Sequence, residues 1–331
     1  MAKMAPIKQF EQRATMTYKL IATFITATGM LASAAAAQTV SIGTNPQGSL
    51  AYAAGAGVAK VAIENAGVKM RVIPQGGPVV TLPLLNRGEL DFTIAVSVVT
   101  AFANNGGAMF KGKKQENVRV AASMFPLIVG TYVRKDSPIK TFADLRGKRV
   151  ASKFTKQKIS GLFARALMAT AGVTLKDVKK FPVPNGVRAV EAFMSGKIDA
   201  VNWSLSSGKT RQAHAAVGGI RHLSAEMNAK TQAVLQKIAP GAVLDVVKPA
   251  PRFPGLTKPI NTLIAPFIVN ASSHTPNELV YKVVKALYAN KAKLVGTHKA
   301  FGAFDPKKIN RDLGLPYHDG SKKFFKEAGL M

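Results

Sequence analysis

Apolar and polar positions follow one another along this chain in a recurring order of strand, loop and helix. Val40-Ser41-Ile42 is a short β-prone run that breaks at Gly43-Thr44-Asn45-Pro46-Gln47-Gly48-Ser49. The Ala-rich stretch Leu50 to Glu64 predicts a helix that stops by Gly67. Lys69 to Ile73 predicts a second strand, Pro74-Gln75-Gly76-Gly77-Pro78 a loop, Val79 to Asn86 a short helix stopped at Gly88, and Leu90 to Val96 a third strand. This β-α-β-α-β order is the signature of a parallel α/β unit.

The order then returns. Strand Arg149 to Ala151 leads through Ser152-Lys153-Phe154-Thr155-Lys156-Gln157 into a helix that ends near Thr170. Strand Lys179 to Val183, loop Pro184-Asn185-Gly186, helix Val187 to Ser195 and strand Ile198 to Trp203 complete the unit. Thr44 and Ser152, Gly88 and Gly196, and Asp91 and Asp199 are each 108 residues apart, and Gly76 and Asn185 are 109 apart. Arg87-Gly88-Glu89-Leu90-Asp91-Phe92 is echoed by Ser195-Gly196-Lys197-Ile198-Asp199-Ala200. The expectation is two α/β lobes of similar plan.

Two further apolar, β-prone runs flank the second unit: Met124 to Val133, and Leu263 to Val269. If both cross between lobes, the second lobe is an insertion and the C-terminal helices, Leu279 to Lys293 and Ser321 to Ala328, pack back on the first. The expected division is residues 38–128 with 270–331 as one lobe and 129–269 as the other, and the double crossover is a hinge candidate. Thr275-Pro276-Asn277-Glu278 predicts a capping box at the helix start.

The first residues bear on the compartment. Lys3, Lys8, Arg13 and Lys19 precede an apolar run from Leu20 to Leu31, and Ala35-Ala36-Ala37 offers a cleavage site before Gln38. Residues 1–37 are expected to be a signal peptide cleaved near Ala37, which implies export to the periplasm. There are no cysteines, which excludes disulfides and thiolate chemistry. Without the leader, 42 basic residues stand against 16 acidic ones, a net +26. The charges lie in small scattered groups (Lys111, Lys113, Lys114; Arg146, Lys148, Arg149; Lys307, Lys308) and not with stacking aromatics, so no nucleic-acid partner is expected. A positive field that draws anionic solutes or an anionic surface is its physical consequence.

In open α/β sheets, ligands sit beyond the carboxyl ends of the strands, where loops lead into helix N-termini. Here those loops carry small polar groups. Thr44, Asn45, Gln47, Ser49 and Tyr52 are expected to hold one end of a ligand, and Ser152, Thr155, Gln157, Asn202 and Ser204 the other. Gln75, Ser97, Asn185 and Ser206 complete the candidate set. Free N–H groups at such helix starts bind carboxylate or phosphate without a dedicated arginine. Lys153 either pairs with an anionic group or is a surface lysine, and Trp203 either stacks on the ligand or fills the interlobe core. Gly43 and Gly48-Ser49 share the frame of a P-loop but lack its lysine, so an NTPase is not expected. His214, His222, His274, His298 and His318 show no metal-ligand spacing, and no G-x-S-x-G elbow occurs; neither metal, cofactor nor catalysis is expected.

Ile42-Gly43-Thr44 with Gly48 and Tyr52, Gly76-Gly77, and Leu84-Leu85-x-x-Gly88-Glu89-x-Asp91 resemble the TAXI family of TRAP-transporter solute receptors. Val129 to Ser137, Phe142 to Val150, Val183-Pro184-Asn185, Gly196 to Ala200, Leu279-Val280-Tyr281 and Tyr317 to Gly329 are similar to it in order and spacing. The resemblance implies a type II periplasmic-binding-protein fold. It also implies capture of glutamate, 2-oxoglutarate or a related organic acid and its delivery to the membrane permease of a TRAP transporter; the chain itself is expected to be a monomer. A receptor of an ABC-type importer, or a periplasmic sensor input, is the alternative on the same fold. The chain departs from the family pattern at Asn45-Pro46-Gln47-Gly48-Ser49, which is poorer in Gly and Thr, and at Ala95-Val96-Ser97, which lacks an Asn or Gln. Both departures fall on pocket loops, so they bear on which ligand is taken.

Overall fold

The computed structural model describes residues 39–107 and 109–331; the expected leader, residues 1–37, lies outside the described residues. The first unit runs β1 (Val40–Thr44), α1 (Leu50–Ala66), β2 (Met70–Pro74), α2 (Pro78–Asn86), β3 (Phe92–Val96) and α3 (Ser97–Asn104). Strand β4 (Val118–Arg134) leads to the second: β5 (Arg149–Ser152), α4 (Lys158–Ala169), β6 (Lys179–Pro182), α5 (Gly186–Met194), β7 (Ala200–Ser204) and α6 (Gly208–Ala216). Then come β8 (Ile220–His222), α7 (Ala229–Ile238), β9 (Val243–Val247), β10 (Ile260–Ser272), α8 (Asn277–Ala289), α9 (Lys291–Thr297) and α10 (Asp319–Glu327). No described helix is long and apolar enough to cross a membrane.

All ten described strands form one sheet in the order β2-β1-β3-β10-β4-β7-β5-β6, with β8 added to β4 and β9 to β10. Each end has the same plan, a parallel trio (β2-β1-β3 or β6-β5-β7) flanked by a long antiparallel strand. The flanking strands β10 and β4 pair with each other from Leu263↔Val129 to Ser272↔Val118, with two register shifts. The chain therefore crosses to the second unit through β4 and returns through β10. The two expected crossover runs, Met124 to Val133 and Leu263 to Val269, are the inner parts of these longer strands.

The 108-residue offset is carried by matching hydrogen bonds. Asp91 Oδ2 accepts from the Ser41 backbone N–H (2.8 Å) at the start of β1, and Asp199 Oδ2 accepts from the Arg149 N–H (2.7 Å) at the start of β5. Gly88 and Gly196 end α2 and α5 at φ 75° and 72°, a left-handed conformation that only glycine adopts without steric penalty. Their N–H groups bond to Leu85 and Phe193 carbonyls at 3.0 Å each. The same short loop chemistry thus closes the same β-α-β corner twice.

The C-terminal segment lies against the outer part of β4 and the first helices. The His318 N–H donates to the Val120 carbonyl (2.9 Å) and the Val120 N–H to the Pro316 carbonyl (2.8 Å), joining this segment to the outer part of β4. Two local readings need correction. The capping box at Thr275 does not form: α8 begins at Asn277 with no side-chain cap, and Thr275 Oγ1 donates instead to the Asp91 carbonyl (3.0 Å). Glu278, its supposed partner, is drawn to Lys323 (3.3 Å). Ser97 lies in α3 and not in a loop.

Candidate functional site

Where the two units face each other, loops that follow β1 and β3 meet loops that follow β5 and β7 across the middle of β4 and β10. They enclose a cavity of about 50 Å³. From the first unit come Asn45, Ser49, Leu50, Ala51, Pro78 and Ile94 to Val96; from the second, Gln157, Ile159, Ser160, Phe163 and Asn202 to Ser204. Leu127 and Val129 of β4 and Phe267 of β10 form the wall common to both.

The polar members are built in by local structure. Ser49 is the N-cap of α1: its Oγ accepts from the Tyr52 N–H (3.1 Å) and donates to the Pro46 carbonyl (2.7 Å), so its backbone is fixed and the first turn of the helix faces the cavity. Gln157 precedes α4 but does not cap it. Its Oε1 accepts from the Gly186 N–H (2.9 Å), so the first N–H groups of α4 have no side-chain partner. Asn202 Nδ2 donates to Thr131 Oγ1 (3.2 Å), which anchors that amide to β4.

Four buried polar atoms in this lining have no hydrogen-bond partner among the described residues: Asn45 Oδ1, Asn202 Oδ1, Trp203 Nε1 and Ser204 Oγ. Their residues are all less than a tenth exposed. A buried polar group left unpaired costs about 1–3 kcal/mol, and four in one small space mark a place where another molecule completes the bonding. Apart from Ser49, Gln157 and Ser160 the rest of the described lining is apolar, and none of it is ionisable.

The structure places the sequence-derived candidates differently from one another. Asn45, Ser49, Gln157, Asn202, Trp203 and Ser204 come together around the cavity. Thr44 is fully buried and does not line it; its Oγ1 donates to the Asn45 carbonyl (3.0 Å) and its methyl fills the space over Gly55. Gln47 is exposed and donates to Tyr52 Oη (3.3 Å), and Asn185 caps α5 by accepting from the Arg188 N–H (3.0 Å). Gln47 and Asn185 share a separate concavity at the cleft mouth with Lys209. Gln75, Ser97 and Ser206 are not in the lining of either space. Ser152, Lys153 and Thr155 line another concavity beside α4, and Lys153 and Thr155 are exposed.

Sequence reading missed the apolar walls, among them Leu127, Val129, Phe163 and Phe267. The strand-end rule pointed to the neighbouring polar loops, but the crossover strands were read only as connections. Trp203 packs with Val187, Val190 and Phe193 in the core of the second unit, and its indole Nε1 is one of the unpaired atoms.

The halves also touch across the cleft. The Lys209 N–H, at the start of α6, donates to the Gly48 carbonyl (3.1 Å), and Lys209 is held by Glu191 (3.1 Å). Gly76 lies against Lys156: a Cβ there would be 2.7 Å from Lys156 Cβ and 2.9 Å from its Cδ. Gly76 has an ordinary negative or extended φ, so alanine is tolerated by its own lobe. Gly76→Ala is therefore expected to leave the melting temperature within about 2 °C while weakening ligand binding by about tenfold or more, the effect of overpacking by about 1–3 kcal/mol. Thermal denaturation and titration of the variant check this; undiminished affinity would show that these loops do not approach in the bound form.

A two-lobed α/β protein with paired crossover strands and a site in the cleft has the type II periplasmic-binding-protein architecture. The sequence pattern of the NMT1-like family matches residues 42–329, and the chain belongs to that family. Solved structures agree on the fold. MatC from Rhodopseudomonas palustris, solved with bound malate, is 13% identical with a TM-score of 0.59, over 88% of this chain and 98% of that one. The periplasmic binding protein BugD is 13% identical with a TM-score of 0.58, over 88% and 97%. A structure described as a periplasmic transporter is 14% identical with a TM-score of 0.58, over 88% and 93%.

Proposed function

We propose that this protein is an extracytoplasmic solute-binding receptor of the TAXI type, exported through a cleaved leader. It captures a small organic carboxylate between its lobes and delivers it to the permease of a TRAP transporter. The observation that carries the reading is the convergence of Asn45, Asn202, Trp203 and Ser204, each with an unpaired buried polar atom, on one cavity between two lobes. The first turns of α1 and α4 open on the same space, and helix N-termini favour an anion. The excess of basic residues draws an anion toward the surface before it meets the site. Binding of malate by MatC, on the same fold, is consistent with a carboxylate here.

The lobes are residues 38–128 with 270–331, and 129–269, and they part by flexing β4 and β10 where the chain crosses. Ligand sites usually measure about 300–1000 Å³, so a cavity of about 50 Å³ corresponds to a closed cleft that must open to load. Delivery follows if the permease recognises the closed form.

The test is a thermal-shift screen of the purified protein against organic acids, amino acids and sugars. A ligand at 100 times its Kd adds ~2.7 kcal/mol to the folded state, equivalent to a rise of about 4 °C for a protein of this size. A carboxylate should give the largest rise, and its association rate should fall with salt. A sugar as the best ligand, or no shift with any compound, would overturn the reading.

A further inference from the structure

The proposal that a carboxylate is bound leaves open which carboxylate, and the cavity carries more information than that. Among the described residues no Lys, Arg, His, Asp or Glu lines it. The nearby lysines are turned elsewhere: Lys153 and Lys158 line the concavity beside α4, and Lys156 packs on Gly76. One carboxylate can be served by neutral donors, namely the first N–H groups of α1 and α4, Trp203 Nε1 and Ser204 Oγ. A second carboxylate would lie against Ile94, Val96, Ile159, Phe163 and Phe267, where no cation offsets the loss of water.

The acceptors narrow the choice again. Asn45 Oδ1 and Asn202 Oδ1 lack donors, and Asn202 is already tied through its Nδ2 to Thr131. A hydroxyl supplies a donor without adding charge. An ammonium would bring a positive charge into a space with no carboxylate to balance it. Resting on the reading above, we infer that the ligand is a 2-hydroxy monocarboxylate whose remaining substituent is a short apolar chain. The space of about 50 Å³ is below the ~150 Å³ cavity that accommodates benzene, so a ligand of this kind is admitted only as the lobes part.

Titration calorimetry with four matched probes tests this. The probes are 2-hydroxyisovalerate, isovalerate without the hydroxyl, 2-hydroxyglutarate with a second carboxylate, and valine with an ammonium. The first should bind tightest, by about tenfold over isovalerate and about a hundredfold over the other two. Ser204→Ala should weaken 2-hydroxyisovalerate by about tenfold without lowering the melting temperature of the free protein, since the hydroxyl has no partner to lose. Equal or tighter binding of 2-hydroxyglutarate or valine would overturn the inference and leave the receptor reading standing. If none of the four binds, the inference falls, and the broader screen separately decides the receptor reading. Unchanged affinity in Ser204→Ala would also overturn it, because the donor set around the carboxylate would then be wrong.

Discussion

Gly186→Ala is expected to abolish measurable ligand binding and to destabilise the protein by about 3 kcal/mol, at the upper end of overpacking effects. Gly186 is the first residue of α5, and the six-membered ring of Trp203 lies directly over it; a Cβ there would overlap the ring. The ring cannot retreat easily, because Trp203 is buried with Val187, Val190 and Phe193 in the core of the second lobe. Displacing it would move the indole Nε1 out of the cavity wall and break the bond from Gly186 N–H to Gln157 Oε1 (2.9 Å), which sets the loop before α4. Two walls of the site would shift together. Denaturant unfolding measures the stability loss, and titration with the best ligand from the screen measures the affinity. A variant that binds normally and unfolds at the parental midpoint would show that the position of Trp203 matters to neither.

The repeated units were legible because their signals are local. A strand must end where Gly and Pro break the pattern, and a helix must end where only glycine fits a left-handed turn, as at Gly88 and Gly196. The paired aspartates were visible as a spacing before they were visible as hydrogen bonds to Ser41 and Arg149. From Gly208 to Val247 the sequence offered less. Strand β8 has three residues, and its place depends on pairing with Tyr132 to Arg134 of β4, which is a tertiary contact. Strand β9 alternates exposed and buried positions only in part, and it owes its place to β10.

The site divides in the same way. Polar residues at strand exits could be found, but which of them face the cavity is decided by competition among neighbours. Burial of Phe154 turns Lys153 and Thr155 outward, with Lys153 at φ 54°, so the cation singled out from the sequence faces solvent. Thr44 spends its hydroxyl on the adjacent carbonyl and its methyl on α1. Apolar residues such as Val129 and Phe267 carry no sign in the sequence that one side of them meets a ligand, because the same residues would serve any core.

Stability is expected to fall by about 3 kcal/mol as the pH drops from 6.5 to 4, through the buried imidazole of His222. This side chain is 5% exposed, lies edge-on to Tyr132, and hydrogen-bonds through Nε2 to the Pro254 carbonyl (2.9 Å). The bond to a carbonyl makes Nε2 the protonated nitrogen and leaves Nδ1 without a partner in the fold. A second proton on Nδ1 would put an unpaired charge in the core. Burial accordingly pushes the His222 pKa down to about 4 from its usual 6.5. Between these values the unfolded chain binds a proton that the folded chain does not, so stability rises with pH across that window, is flat above it, and loses nothing more from this group below about 4. Burial lowers His298 and His318 as well, so the parental slope combines several residues. The difference between parental protein and His222→Leu isolates one of them. Denaturant midpoints measured from pH 4 to 7.5 should show a shallower fall in the variant, with the gap between the two closing toward pH 4. Parallel curves would mean that His222 takes up its proton without unfolding, through an opening that brings water to Nδ1.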